Sequence, residues 1–309
     1  MKKQTQKKLL LAVDGSEYAF DAVQYVSKFA PFHKMKVVLF NVFSSVPESY
    51  RDLEKDPQFS RAAREVMGWE MQRRKVIQKY MNKARETLSH SGFSDKAINV
   101  KIQNRKKGIA RDIISEARKG YSAVVVGRKG DADFKELVVG SVATKIVQKL
   151  SFLSLMMIGK IPPNEKILLA LDGSENAMRA VDHVASTLGG FDYQITLLHV
   201  IRGDLEAEIP HLFFSKKSLK EAKREIDNVF DKAKQCLTDA GVKSGQINTK
   251  IVSSVRSRAG AIIQEARDGD YGTIVLGRRG LSEVRMFFMG RVSNKVIHTI
   301  RNRVVWVVT

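Results

Sequence analysis

The sequence predicts an α/β protein with two tandem domains, each a doubly wound five-stranded parallel sheet with helices on both faces. Two observations support this fold class. Segments of the first half recur in the same order in the second half, and five short apolar runs in each half alternate with amphipathic helical patterns. Strands that alternate with helices favour a parallel sheet, because each connection between parallel strands must cross over one of its faces.

Three pairs of matching segments define the repeat. Residues 9–17 match 167–175, residues 109–118 match 258–267, and residues 121–150 match 271–300. A period of about 150 residues is much longer than the unit of a solenoid, so it indicates two whole domains. We predict domains at 1–160 and 161–309, each long enough to bury its own hydrophobic core.

The first half begins with a buried strand and a helix capped by Ser16, which the apolar spacing carries as far as Pro31. A polar loop is predicted at 43–60, before a long basic helix. The predicted strands of this half are residues 8–13, 36–42, 97–103, 122–127 and 152–158. Its later helices are predicted at 61–89, 108–119 and 141–150.

The second half follows a linker at 159–164, where glycine and two prolines interrupt both kinds of periodicity. A loop is predicted at 202–217. Strands are predicted near residues 166–171, 193–200, 247–252, 272–277 and 303–308. Helices are predicted near 175–188, 216–240, 258–268 and 291–300.

The composition is that of a basic globular protein. The formal net charge is +20, and residues 1–160 carry 31 lysines and arginines against 16 acidic residues, whereas 161–309 carry 22 against 17. This surplus favours anionic partners or serves solubility, and the basic helix at 61–89 is either a solvated face or a nucleic-acid stripe. A single cysteine, Cys236, no signal peptide and no apolar run of ~20 residues predict a cytoplasmic protein without a transmembrane segment.

A glycine-rich loop follows the fourth strand of the first half. Gly127, Gly130, Gly140 and Ser141 form the pattern Gly-x2-Gly-x9-Gly-Ser. Glycines let the backbone bend tightly and approach a ligand, and free amides at the start of a helix attract phosphate. Because Arg128 and Lys129 add positive charge, we predict that this loop holds the phosphates of a nucleotide; the alternative is that the glycines only make turns and Ser141 only caps a helix.

In an open parallel sheet, ligands bind beyond the carboxyl ends of the strands, where the strand order reverses. Asp14, Val42 and Gly127 each end a predicted strand at that edge. A carboxylate there can accept a hydrogen bond from a base or a ribose, or lie near a metal. Val42 offers backbone groups and an apolar contact for a flat ring.

The Asp-Gly-Ser after the first strand and the spaced glycines resemble the universal stress protein family, as two fused copies over nearly the whole chain. The resemblance implies sheets of strand order 3-2-1-4-5 that bind ATP, ADP or AMP, with or without Mg²⁺. It also implies pairing through the last strand, hence an internal pseudo-dimer, and leaves a further homodimer open. The implied first-half site consists of Val13, Asp14, Ser16, Val42, Val126, Gly127, Arg128, Gly130, Gly140, Ser141 and Val142.

The second half departs from this pattern at Arg291, where serine or threonine is expected. A guanidinium there either engages phosphate directly or fills the pocket. The remaining second-half residues that fit the resemblance are Asp172, Ser174, Val200, Gly277, Arg278, Gly280 and Gly290.

The sequence lacks the patterns of several enzyme classes. It contains no phosphate loop of the Gly-x4-Gly-Lys type and no nucleophile elbow, and its six histidines form no zinc-ligand spacing. No general base is identifiable, so no enzyme is predicted, although slow ATP hydrolysis stays open. Three hypotheses remain: a stress-response regulator that binds an adenine nucleotide, a protein that binds nucleic acid or an anionic surface through its basic first half, and a scaffold for a protein partner with vestigial pockets.

Overall fold

A computed structural model describes residues 6–46, 58, 60–129, 139–159, 165–202, 216–280 and 289–309, without the side chains of 216–222. The strands in this part of the chain are β1 (Lys8–Ala12), β2 (Lys36–Phe43), β3 (Ile98–Asn104), β4 (Ala123–Gly127), β5 (Ser154–Ile158), β6 (Lys166–Ala170), β7 (Gln194–Arg202), β8 (Ile247–Val255), β9 (Thr273–Gly277) and β10 (Val304–Val308). The α-helices are α1 (Glu17–Lys28), α2 (Ser60–His90), α3 (Ile109–Ala117), α4 (Ser141–Lys149), α5 (Glu175–Leu188), α6 (Lys216–Asp239), α7 (Arg258–Asp268) and α8 (Arg291–Thr299).

The described residues form two compact units. The first contains the described part of residues 6–129 and Ser141–Ile146, and the second contains residues 139–140 and the described part of Val147–Thr309. In the first unit, parallel strands lie in the order β3-β2-β1-β4. Leu10 lies between Val38 and Val124 of the neighbouring strands and is fully buried. Such strands are covered on both faces, which is why they are continuous apolar runs in the sequence.

In the second unit, five parallel strands lie in the order β8-β7-β6-β9-β10. β5 pairs with β10 in the antiparallel direction, with Trp306 opposite Met156. The Trp306 side chain is fully buried, so this pairing lies inside the core. Pairing through the last strands agrees with the expectation from the family resemblance.

The predicted fold class is confirmed, and the strands and helices lie within a few residues of their predicted bounds. The largest differences are in β7 and β8, which continue to Arg202 and Val255 because their pairing resumes after a register shift beyond Val200. The predicted linker and both predicted loops lie mostly outside the described residues. None of the described helices is long and apolar enough to cross a membrane.

Candidate functional site

A cavity of about 510 Å³ lies at the carboxyl edge of the sheet in the second unit. This volume is within the range of roughly 300–1,000 Å³ that is usual for small-molecule sites. Its walls come from the ends of β6, β7 and β9 and from the first turns of α7 and α8. Six of the eight residues predicted for the second-half site line it: Asp172, Val200, Gly277, Gly280, Gly290 and Arg291.

The glycine loop of this unit packs directly against Asp172 and α5. A Cβ atom added to Gly277 would lie 2.8 Å from the backbone carbonyl carbon of Asn176, so this position requires the absence of a side chain. A Cβ atom added to Gly280 would collide with Oδ2 of Asp172, so a side chain there would displace the carboxylate or the loop. The glycines therefore bring the loop against the carboxylate at the end of β6.

Asp172 and Ser174 fix the turn between β6 and α5. Oδ1 of Asp172 accepts a hydrogen bond from the Ser174 amide at 3.0 Å, and Oγ of Ser174 accepts one from the Ala177 amide at 3.2 Å. Ser174 is the N-cap of α5 and is buried. The structure thus places Ser174 beneath the site as a helix cap and places Asp172 in the cavity wall.

Arg278 was predicted as a residue of the second-half site, but the structure places its side chain outside the cavity. The guanidinium is 3% exposed and donates hydrogen bonds to the carbonyls of Val147, Gln148 and Leu150, at the end of α4. Burial, followed by the charge of Arg279, lowers the pKa of Arg278 to about 10, so it is still protonated at neutral pH. Its neighbour Arg279, in the bend that follows β9, lines the cavity instead.

The described wall of the cavity is strongly cationic. Asp172 is its only acidic residue, whereas its basic residues are Arg202, Arg256, Arg258, Arg279, Arg291 and Lys295. All six residues are exposed to solvent. A concave surface lined by one sign of charge focuses the electrostatic potential and attracts anions.

Sequence reasoning missed Arg202, Arg256 and Arg258 as site residues. Nε of Arg258 donates a hydrogen bond to the carbonyl of Val200 at 3.4 Å, next to the position predicted to contact a base. Arg202 lies opposite Val255, the residue immediately before Arg256. A partial signal was available, because Arg202 ends β7 and Arg256 directly follows β8 at the ligand-binding edge, with Arg258 at the start of the next helix.

In the first unit, three predicted residues also come to one sheet edge. β1 lies between β2 and β4, with Ala12 opposite both Phe40 and Val126, so Asp14, Val42 and Gly127 end neighbouring strands. Oδ1 of Asp14 accepts hydrogen bonds from the Ser16 amide at 3.0 Å and from its hydroxyl at 2.6 Å. As in the second unit, the serine caps the following helix.

The other first-half residues are placed as follows. Val13 is buried and its carbonyl accepts a hydrogen bond from Asn41, while Ser141 and Val142 begin α4. Arg128 is 4% exposed, and burial lowers its pKa to about 10. Gly130 lies outside the described residues, and Gly140 belongs to the second unit.

The described residues offer no preformed metal site. Within the parts of the chain that the structure describes, no three His, Cys, Asp or Glu side chains are grouped so that they could hold a metal ion. The expectation of Mg²⁺ therefore rests on a nucleotide phosphate that would carry the ion.

The topology and the cavity define a doubly wound α/β protein with a cationic site at the carboxyl edge of its sheet. The chain belongs to the universal stress protein family, whose model matches residues 6–153 and again residues 163–308. Two consecutive matches confirm the tandem arrangement that the internal repeat predicted.

Individual relatives agree with this assignment. Universal stress protein YxiE of Bacillus subtilis (strain 168) is 26% identical over 139 residues, which is 42% of this chain and 90% of the relative. A universal stress protein from Archaeoglobus fulgidus DSM 4304 is 18% identical, covers 99% of both chains and has a TM-score of 0.61. A second solved structure, from Pseudomonas aeruginosa UCBPP-PA14, is 16% identical, covers 99% of this chain and 94% of the other, and has a TM-score of 0.58. At these identities the two structures support the fold alone.

Proposed function

We propose that this protein is a stress-response regulator that binds an adenine nucleotide of the ATP type, with one domain at 1–160 and another at 161–309. The observation that carries the proposal is the cavity of the second unit, where Asp172, the glycine loop and six basic residues surround about 510 Å³. These residues fit a ligand that carries several negative charges and has hydroxyl groups near its centre.

Each part of the cavity has a role in the proposed complex. Backbone amides near Gly280 and at the start of α8, together with Arg279 and Arg291, bind the phosphates. Asp172 accepts hydrogen bonds from the ribose hydroxyls. Buried Val200, at the end of β7, contacts the base. In this arrangement Arg291 replaces the hydroxyl contact of the family pattern with a direct ion pair.

Calorimetric titration with ATP, ADP and AMP tests the proposal. We expect binding of at least one of them, and an Arg291→Ala substitution should weaken it several-fold through the loss of a phosphate contact. Arg267→Ala is the matched control, because Arg267 is exposed on α7 and does not line the cavity. The absence of heat and of thermal stabilisation with all three nucleotides would contradict the proposal and favour a scaffold with vestigial pockets.

A second candidate function is nucleic-acid binding through α2, which its exposed aromatic residue favours. Trp69 is 54% exposed, and the guanidinium of Arg73 lies 5.2 Å from the centre of its ring. Exposed aromatic rings beside basic residues stack with bases, and phosphate contacts make such binding weaken steeply with salt. Affinity for a single-stranded oligonucleotide that does not change between about 50 and about 200 mM salt would exclude this candidate.

A further inference from the structure

The basic residues of the second-unit cavity form two groups on opposite sides of β6. Arg279, Arg291 and Lys295 follow β9 and begin α8, and Arg291 and Lys295 are four residues apart, on the same helix face. Arg202, Arg256 and Arg258 follow β7 and β8 and begin α7. We refer to them as the β9 group and the β7 group.

The strand order sets the distance between the two groups. β6 separates β9 from β7, so two strand spacings, or ~10 Å, lie between those strands. Asp172, two residues beyond the end of β6, is the acidic residue between the groups. A ligand that contacts the β9 group, Asp172 and the β7 group at once carries negative charge at both ends and hydroxyl groups at its centre.

The first half of the chain lacks two of the three charges of the β7 group, since Arg256 corresponds to Lys107. Arg202, at the end of β7, corresponds to Ser44, directly after β2, and Arg258, the first residue of α7, corresponds to Ile109, the first residue of α3. On the β9 side, the counterparts of Arg279 and Lys295 are Lys129 and Lys145, both basic. The second unit therefore adds two charges on the side of the cavity where the base and the ribose edge are expected, and one charge, Arg291 in place of Ser141, on the β9 side.

We propose that the second-unit cavity binds nucleotides with phosphate on both sides of the ribose, a 5′-phosphate at the β9 group and a 3′- or 2′-phosphate at the β7 group. The inference rests on the proposed nucleotide binding and specifies its ligand class. Guanidinium groups hold phosphate through paired hydrogen bonds, which makes Arg202 and Arg258 well suited to an additional phosphate.

The decisive experiment compares adenosine 3′,5′-bisphosphate, ADP and AMP by calorimetry on the full chain at one salt concentration. ADP is the essential comparison, since it also carries two phosphates but both on the 5′ side. We expect one site of the chain, the second-unit cavity, to bind the bisphosphate at least tenfold more tightly than it binds ADP. The double substitution R202S/R258I, which installs the first-half residues, should reduce this preference to less than threefold.

The control R267S/R301S removes two exposed arginines that do not line the cavity, and it should keep the preference. If circular dichroism shows that the double substitution impairs folding, Arg202→Ser alone should still lower the preference.

Equal affinities for the bisphosphate and ADP in the unmodified protein would overturn this inference and leave the proposed function standing. Failure of all three nucleotides to bind would overturn both.

Discussion

Nη2 of Arg278 lies 2.9 Å from the carbonyl oxygen of Val147, in the last turn of α4. The same guanidinium donates hydrogen bonds to the carbonyls of Gln148 and Leu150. The last carbonyls of a helix have no partner within the helix, and they carry the negative end of its dipole. Arg278 thus stabilises the end of α4 and holds it against the loop that follows β9.

An Arg278→Met substitution is expected to lower the free energy of unfolding by roughly 2–3 kcal/mol, because it leaves two buried carbonyls and one part-buried carbonyl without a charged donor. Chemical denaturation measures this loss. The neighbouring substitution Arg279→Met is the matched control, since that exposed side chain lines the cavity and its loss should alter stability by less than ~0.5 kcal/mol. Equal effects of the two substitutions would contradict the structural role of Arg278.

Arg278 and Arg279 also show what could not be predicted from the sequence alone. The strands were predictable because strands buried on both faces are apolar throughout, and the sheet edge followed from the topology that alternating helices and strands dictate. Asp172, Val200 and Gly277 end adjacent strands, so local patterns were enough to bring them together. Which of two successive arginines faces a cavity depends on the direction of each side chain, and the spacing of residues alone does not supply it.

The β7 group was missed for a different reason. Arg202 and Arg256 are separated by more than fifty residues and are brought together only by the pairing of β7 with β8. Their proximity depends on a register shift near Val200 that leaves no simple pattern in the sequence. Charges that converge through long-range pairing are visible only after the strand register is known.

Glu116 gives the stability of the first unit a defined pH dependence. Desolvation by burial opposes ionisation of its carboxyl, but hydrogen bonds from Lys101, Lys119 and Tyr121 outweigh burial and lower the pKa to about 2. The folded protein thus binds this proton less readily than the unfolded chain. The resulting stabilisation is complete above the unfolded pKa near 4.5 and disappears as the pH falls through about 2.

We therefore expect Glu116→Gln to lower the free energy of unfolding at pH 7 by on the order of 2 kcal/mol, after allowance for solvent screening of the exposed lysines. The difference between the unmodified protein and the variant should shrink as the pH is lowered from 4.5 toward 2. Urea unfolding across this pH range measures it. A difference that is the same at both ends of the range would show that the hydrogen-bonded carboxylate does not cause the effect.

Cys236 is predicted to react slowly with alkylating reagents. Partial burial, followed by the hydrogen bond that its thiol donates to Oδ1 of Asp182 at 3.1 Å and by the charges of Asp182 and Asp239, raises the thiol pKa to about 11. Because the thiolate is the reactive form, its fraction at pH 8 is low. An Asp182→Asn substitution should raise the rate of iodoacetamide labelling several-fold, as followed by mass spectrometry, while Asp268→Asn, on another helix, should not change it.

Gly280 offers the sharpest test of the close contact between the loop and Asp172. A Cβ atom at this position would collide with the carboxylate, so Gly280→Ala must displace either the loop or Asp172. We expect nucleotide affinity to fall at least tenfold in calorimetry, with a loss of about 1–2 kcal/mol in unfolding free energy from overpacking. Gly245→Ala is the control, because an added Cβ there meets nothing within 4 Å. Adding Asp172→Ala to Gly280→Ala should relieve the overpacking and recover part of the stability, although the turn loses the hydrogen bond from the Ser174 amide, but it should not restore binding, since the ribose would lose its acceptor. Recovery of both properties in the double variant would mean that Asp172 acts only as an obstacle and not as a ligand-binding residue.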